Sequence, residues 1–189
     1  SIKKIKEVLK LKSVWLLMII IMSAYVGYKT TDIYSLYASD VMFFDQINAS
    51  KVGSLQLYLR PIVCVLIGLL ADITNSSSWI IIGFITMLFG ASIFAVGIIN
   101  SKMNFIFILS LIIVAVGTYA ARALYYAIFQ EGNIPIGIMG TAVGIISVVG
   151  YTPDIFASPV MGYFLDNYPG NLGHQYVFSM LVVFSLFGL

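Results

Sequence analysis

The sequence predicts an all-α membrane protein of six transmembrane helices, arranged as two inverted three-helix repeats. Three observations lead there. The chain is 60% hydrophobic and only 10% charged, against about 25% charged residues in soluble domains. Its apolar stretches are continuous rather than alternating, which in a bilayer means helices. Finally, one signature occurs twice: Gly68-Leu-Leu-Ala-Asp72 closes the second stretch and Gly162-Tyr-Phe-Leu-Asp166 closes the fifth. Strict alternation of the spans sets these two signatures on opposite membrane faces, the mark of an inverted repeat.

The elements follow in order. Residues 1–13 form a basic amphipathic linker with Lys3, Lys4, Lys6, Lys10 and Lys12, and with Ile2, Ile5, Val8 and Leu9 on one helical face. Such a segment suits an anionic membrane surface, a solvated basic linker being the alternative. Its lysines favour a cytoplasmic start. Residues 14–189 hold the six spans, expected at 14–38, 49–71, 79–99, 105–129, 138–165 and from 176 onward. A bilayer core of about 30 Å requires roughly 20 helical residues. The sixth run reaches only about 21 Å, so the last helix is expected to be truncated. The connections are short and rich in Gly, Asn, Ser, Asp and Pro, as helix punctuation should be. Gly140 and Gly144 form a small-xxx-small patch that lets helices approach closely.

Charge inside the spans costs about 2.5–3.5 kcal/mol per residue on insertion scales, and persists where it faces a polar interior. Lys29, Asp32, Arg60, Arg122 and Asp154 are such residues. Arg60 lies twelve residues before Asp72 and beside Pro61; Asp154 lies twelve before Asp166 and beside Pro153. Helical spacing gathers polar neighbours around each charge. Tyr25, Tyr28, Lys29 and Asp32 share a face of the first span, Gln56 and Arg60 of the second. Tyr119, Arg122 and Tyr126 share one on the fourth, and Ser147, Tyr151, Asp154 and Ser158 on the fifth. Four such stripes would line an aqueous cavity. The expected substrate-binding set is Tyr28, Lys29, Arg60, Tyr119, Arg122, Tyr126 and Tyr151. Asp154 and Asp32 are the candidates for proton coupling, Asp154 as a buried carboxylate that desolvation keeps ready to take a proton unless Arg60 offsets it. The competing reading is internal pairing, Lys29 with Asp32 or Arg60 with Asp154.

Other chemistry is excluded. With one cysteine, Cys64, no disulfide can form within the chain. His174, expected as a surface residue of an outer loop, has no cysteine or carboxylate at ligand spacing, so neither a metal nor a cofactor is expected. There is no nucleophile–base set of an enzyme, no glycine-rich phosphate loop and no nucleic-acid patch.

Taken together, these residues resemble the C-terminal six-helix half of a major facilitator superfamily transporter. Gly68-Leu-Leu-Ala-Asp72 is similar to the start of that superfamily's cytoplasmic loop motif, although residues 73–78 lack its Arg, Lys and Gly. Gly140-Thr-Ala-x-Gly144, Gly150-Tyr151 and Gly162-x-x-x-Asp166 are similar to the penultimate helix of the organophosphate and organic-anion branches. The resemblance implies half of a twelve-helix secondary transporter of the cell (inner) membrane, with a missing N-terminal six-helix half as its partner. It also implies a gating role for Gly68 and Asp72 and transport by alternating access; the arginines within the spans point to a small polar, anionic solute, and Asp154 to proton symport, with anion exchange as the rival. An oligomeric six-helix channel and a non-transporting membrane scaffold are the alternatives.

Overall fold

A computed structural model describes residues 2–189, apart from the side chain of Gln130; Ser1 lies outside the described residues. All regular structure among these residues is helical. In chain order the helices are α1 (Ile2–Lys10), α2 (Lys12–Thr30), α3 (Tyr34–Asp40), α4 (Gln46–Ile73), α5 (Ser76–Ala95), α6 (Asn104–Leu124), α7 (Ile128–Glu131), α8 (Ile136–Gly150), α9 (Pro153–Asn167) and α10 (Asn171–Phe187). A 3-10 turn, Thr31–Ile33, joins α2 to α3. Five stretches are long and apolar enough to cross a membrane: Lys12–Asp40, Gln46–Ile73, Ser76–Ala95, Asn104–Leu124 and Ile136–Asn167. They coincide with the first five expected spans, most ends being shifted by a few residues.

The sixth span needs correction. Its helix starts at Asn171, not at 176. Gly170, at φ 76°, makes the tight turn out of α9. The next turn then lies so close to α9 that a Cβ on Gly173 would meet the Phe164 carbonyl oxygen at 2.8 Å. Seventeen residues reach about 26 Å. The helix arrives beside the start of α5, where Gly188 and Leu189 line one cavity with Ser77, Ile80 and Ile81. Even with the earlier start, this helix stays shorter than the five membrane-length stretches.

Loop contacts define two ends. At the basic end, Lys4 Nζ donates to the Gly137 carbonyl at 3.0 Å. There too, the Ser76 and Ser77 N–H groups donate to the Glu131 carboxylate at 2.9 and 3.2 Å. This capping of α5 holds the Glu131 carboxyl below the usual glutamate range, the Ser77 hydroxyl contributing most. At the opposite end, Asp40, Asn100 and Asn171 line one cavity. Asp72 closes α4 at the basic end and Asp166 closes α9 at the opposite end.

The Lys12–Asp40 stretch and α6 are central, with 61% and 56% of their most apolar parts buried; α4 and the α8–α9 unit are peripheral, at 17% and 22%. α5 packs on α6 and α10, α4 on α6 and α3, and α2 on α6, α8, α9 and α10. The tightest crossing is α5 on α6, where glycines let backbones touch: a Cβ on Gly117 would lie 2.5 Å from Met87 N and 2.6 Å from Gly83 O. The expected packing patch is elsewhere: Gly140 and Gly144 have nothing within 4 Å of a Cβ. Periodicity marked them as small, but their helix face is open. An aromatic core closes the opposite end, with Tyr37 stacked on Phe107 at 5.4 Å and Phe94 on Phe178 at 4.3 Å.

Candidate functional site

Four helices meet near the middle of the bundle, and three backbone irregularities shape the meeting. The α2 helix tightens into its 3-10 turn one residue after Thr30. Pro61 sits inside α4 next to Arg60 and leaves one backbone acceptor free. The α8–α9 unit breaks at Tyr151–Thr152, with Pro153 opening α9. Across that break the Asp154 N–H bonds back to the Tyr151 carbonyl at 3.1 Å.

The ionic centre is Lys29 with Asp154. Lys29 Nζ lies 3.1 Å from Asp154 Oδ1, and the Tyr25 hydroxyl donates to Asp154 Oδ2 at 2.8 Å. Both competing pairings fail as the main contact. Asp32 is 4.0 Å from Lys29, and Arg60 forms no ion pair with Asp154 among the described residues. The lone, desolvated carboxylate expected at Asp154 is also corrected: its side chain is half exposed and already holds a cation and a phenol.

The arginines are held by aromatic faces. Arg122 lies 3.8 Å from the centre of the Tyr28 ring and 4.8 Å from that of Tyr25. Arg60 approaches the same Tyr28 ring at 5.3 Å. A guanidinium over an aromatic face gains about 0.5–2 kcal/mol, more as water is withdrawn. Tyr28 is thus the shared surface for two like charges. Nη1 of Arg122 is buried without a hydrogen-bond partner.

Hydroxyl groups complete the lining. Tyr126 and Tyr151 share a hydrogen bond of 2.7 Å, and Tyr125 and Tyr151 one of 3.1 Å. Ser147 lies 3.4 Å from the Tyr126 hydroxyl, and Tyr119 donates to Gln56 Oε1 at 3.3 Å. All seven expected binding residues therefore belong to one contiguous cluster on α2, α4, α6 and the α8–α9 unit, with Asp154 at its centre and Asp32 at its rim. Tyr25, which helical spacing placed on the first stripe, and Tyr125 complete it. Gly68 and Asp72 are remote from it, on the exposed last turns of α4.

His174 is corrected as well. It is fully buried in the first turn of α10, with Nε2 3.2 Å from Asp40 Oδ2 and its ring edge-on to Tyr37 at 4.9 Å. The pair ties α10 to α3. Among the described residues no group of His, Cys, Asp and Glu could hold a metal ion.

The chain is 26% identical over 187 residues to the inner membrane protein YqcE of Escherichia coli K12, covering 95% of this chain and 43% of that protein. Over 70 residues it is 33% identical to the inner membrane protein YihN of the same strain, covering 37% of this chain and 17% of that protein. With its membrane-length helices, this settles the class. The chain is a multi-pass inner-membrane protein. It spans less than half the length of these curated relatives. No family model and no solved structure matches it.

Proposed function

We propose that this chain is the six-helix half of a secondary transporter that moves a small, polar, anionic solute by alternating access. The observation that carries this reading is the convergence of Lys29, Arg60, Arg122 and Asp154 with a shell of tyrosine hydroxyls in the middle of the bundle. Packing alone does not need such a set, because every charge kept there is costly in hydrocarbon. Three cations against Asp154 and Asp32 leave one positive charge in excess, which favours an anion. Arginine grips a carboxylate or phosphate with two parallel hydrogen bonds.

The neighbour pattern supports two inverted three-helix repeats. If α2–α3, α4 and α5 correspond to α6–α7, α8–α9 and α10, then α4 on α6 has its counterpart in α8–α9 on α2, and α5 on α6 in α10 on α2. The first helix of each repeat also breaks, at Thr31 and at Tyr125, with Tyr25 and Tyr119 six residues before the break. The thinly covered faces of α4 and α8–α9 suit a second six-helix half, with the substrate path between the halves. Gly68 and Asp72 would then act in gating at the basic end.

Proton coupling fits Asp154. A proton arriving there would release Lys29, and a solute anion would then take its place on the ammonium. Asp32 is the second candidate for this role. The reading is tested with the whole protein in sealed vesicles against a panel of organic and inorganic anions. Arg60→Lys and Arg122→Lys should each raise the KM for the transported anion while the protein stays folded. Normal affinity in both variants overturns the anion-binding role.

A further inference from the structure

We propose that α1 is an anionic-lipid anchor: it lies in the membrane interface, with Ile2, Ile5 and Leu9 in the acyl region and Lys3, Lys6 and Lys10 against lipid phosphates. This holds independently of what the bundle transports.

The roll of α1 about its axis is fixed by two contacts. Val8 is fully buried in the bundle core, and Lys4, one turn before it, donates to the Gly137 carbonyl at the start of α8. With that edge docked, the i, i+3, i+7 stripe of Ile2, Ile5 and Leu9 is left open, at 74%, 42% and 38% exposure. A second i, i+3, i+7 stripe, Lys3, Lys6 and Lys10, runs parallel to it one residue further on, about 100° around the helix, and all three lysines are exposed. Residues 2–12 carry five lysines and one glutamate, Glu7, a net charge of +4.

The level of α1 relative to the bilayer is set by α2. Trp15 joins the two helices, its Nε1 donating to the Leu9 carbonyl at 2.9 Å. Its ring stands exposed where the outward apolar residues of α2, Leu16 and Ile19, begin. Tryptophan is enriched at that depth. An apolar stripe beside a basic stripe, on a helix held at the bilayer boundary, has the chemistry of an anionic phospholipid surface. An acidic peptide would answer the lysines but leave Ile2, Ile5 and Leu9 facing water.

The test uses the whole protein with Cys64→Ser and Ile5→Cys, labelled with an environment-sensitive fluorophore, in nanodiscs of phosphatidylglycerol or phosphatidylcholine. The expected result is blue-shifted emission, shielded from a water-soluble quencher, in phosphatidylglycerol and much less in phosphatidylcholine. Changing Lys3, Lys6 and Lys10 to Gln should lower the ratio of shielded to open probe by about fivefold per lysine. Changing the same three to Arg should restore it. Equal emission in the two lipids overturns the proposal. So does a Gln variant that keeps the difference, or soluble glycerol phosphate reproducing the shift in phosphatidylcholine.

Discussion

Gly117→Ala tests the packing that holds the bundle together. A Cβ at this position falls 2.5 Å from Met87 N, 2.6 Å from Gly83 O and 2.9 Å from Met87 Cα. All three are backbone atoms, so no side chain can swing aside, and α5 and α6 must move apart along their whole crossing. Overpacking of this kind costs about 1–3 kcal/mol, and contact with rigid backbone puts this site near 3. The better helix propensity of alanine returns about 1 kcal/mol, leaving about 2 kcal/mol of destabilisation. At roughly 2–4 °C per kcal/mol for 150–250 residues, and about half that for a protein twice as long, the expected loss in Tm of the whole protein is about 2–4 °C. The assay is thermal unfolding of the detergent-solubilised whole protein beside Ile85→Ala, an exposed residue of α5 whose truncation should change stability by no more than about 0.5 kcal/mol. An unchanged or raised Tm for Gly117→Ala would mean that propensity alone acts there, and would refute the close crossing.

Two further outcomes are expected. Asp154→Asn leaves Lys29 without its nearest anion; on the proposed coupling, pH-driven uphill uptake should be lost while solute exchange continues, and retained accumulation would remove Asp154 from the proton path. Glu131→Gln should lower thermal stability at neutral pH by weakening the cap on α5. Because the folded carboxyl titrates below its ordinary value, its stabilisation is complete above about pH 4.3 and lost as pH falls through the folded pKa. The Tm difference between wild type and variant should therefore close in that acid range, and a constant difference down to acid pH would contradict the capping role.

The helices and the polar stripes were legible because both follow from local pattern. Continuous apolar runs gave the spans, and 3.6-residue periodicity put Tyr119 and Arg122 on the face where they stand, while Tyr126 joins them from the turn after α6. What pattern could not give was partnership across the chain. Lys29 and Asp154 are 125 positions apart, and nothing in either span says that they meet in preference to Lys29 with Asp32. The glycines make the same point. Gly140 and Gly144 carry the usual spacing but face open space, whereas Gly83 and Gly117 match each other across two helices. The start of α10 was missed because Asn171, Gly173, His174 and Gln175 look like a loop. The segment is held in place by tertiary contacts, the close approach of Gly173 to α9 and the bond of His174 to Asp40, which local composition does not carry.

The central claim is a solute cavity that opens to each side of the membrane in turn, and cysteine accessibility tests it without knowing the solute. Ser147 is small, lies within the cluster and contacts Tyr126. In the whole protein with Cys64→Ser, Ser147→Cys should react with a membrane-impermeant thiol reagent added to either side of oriented, sealed vesicles. Reaction from neither side, or from one side only under every gradient imposed, would contradict alternating access through this cluster.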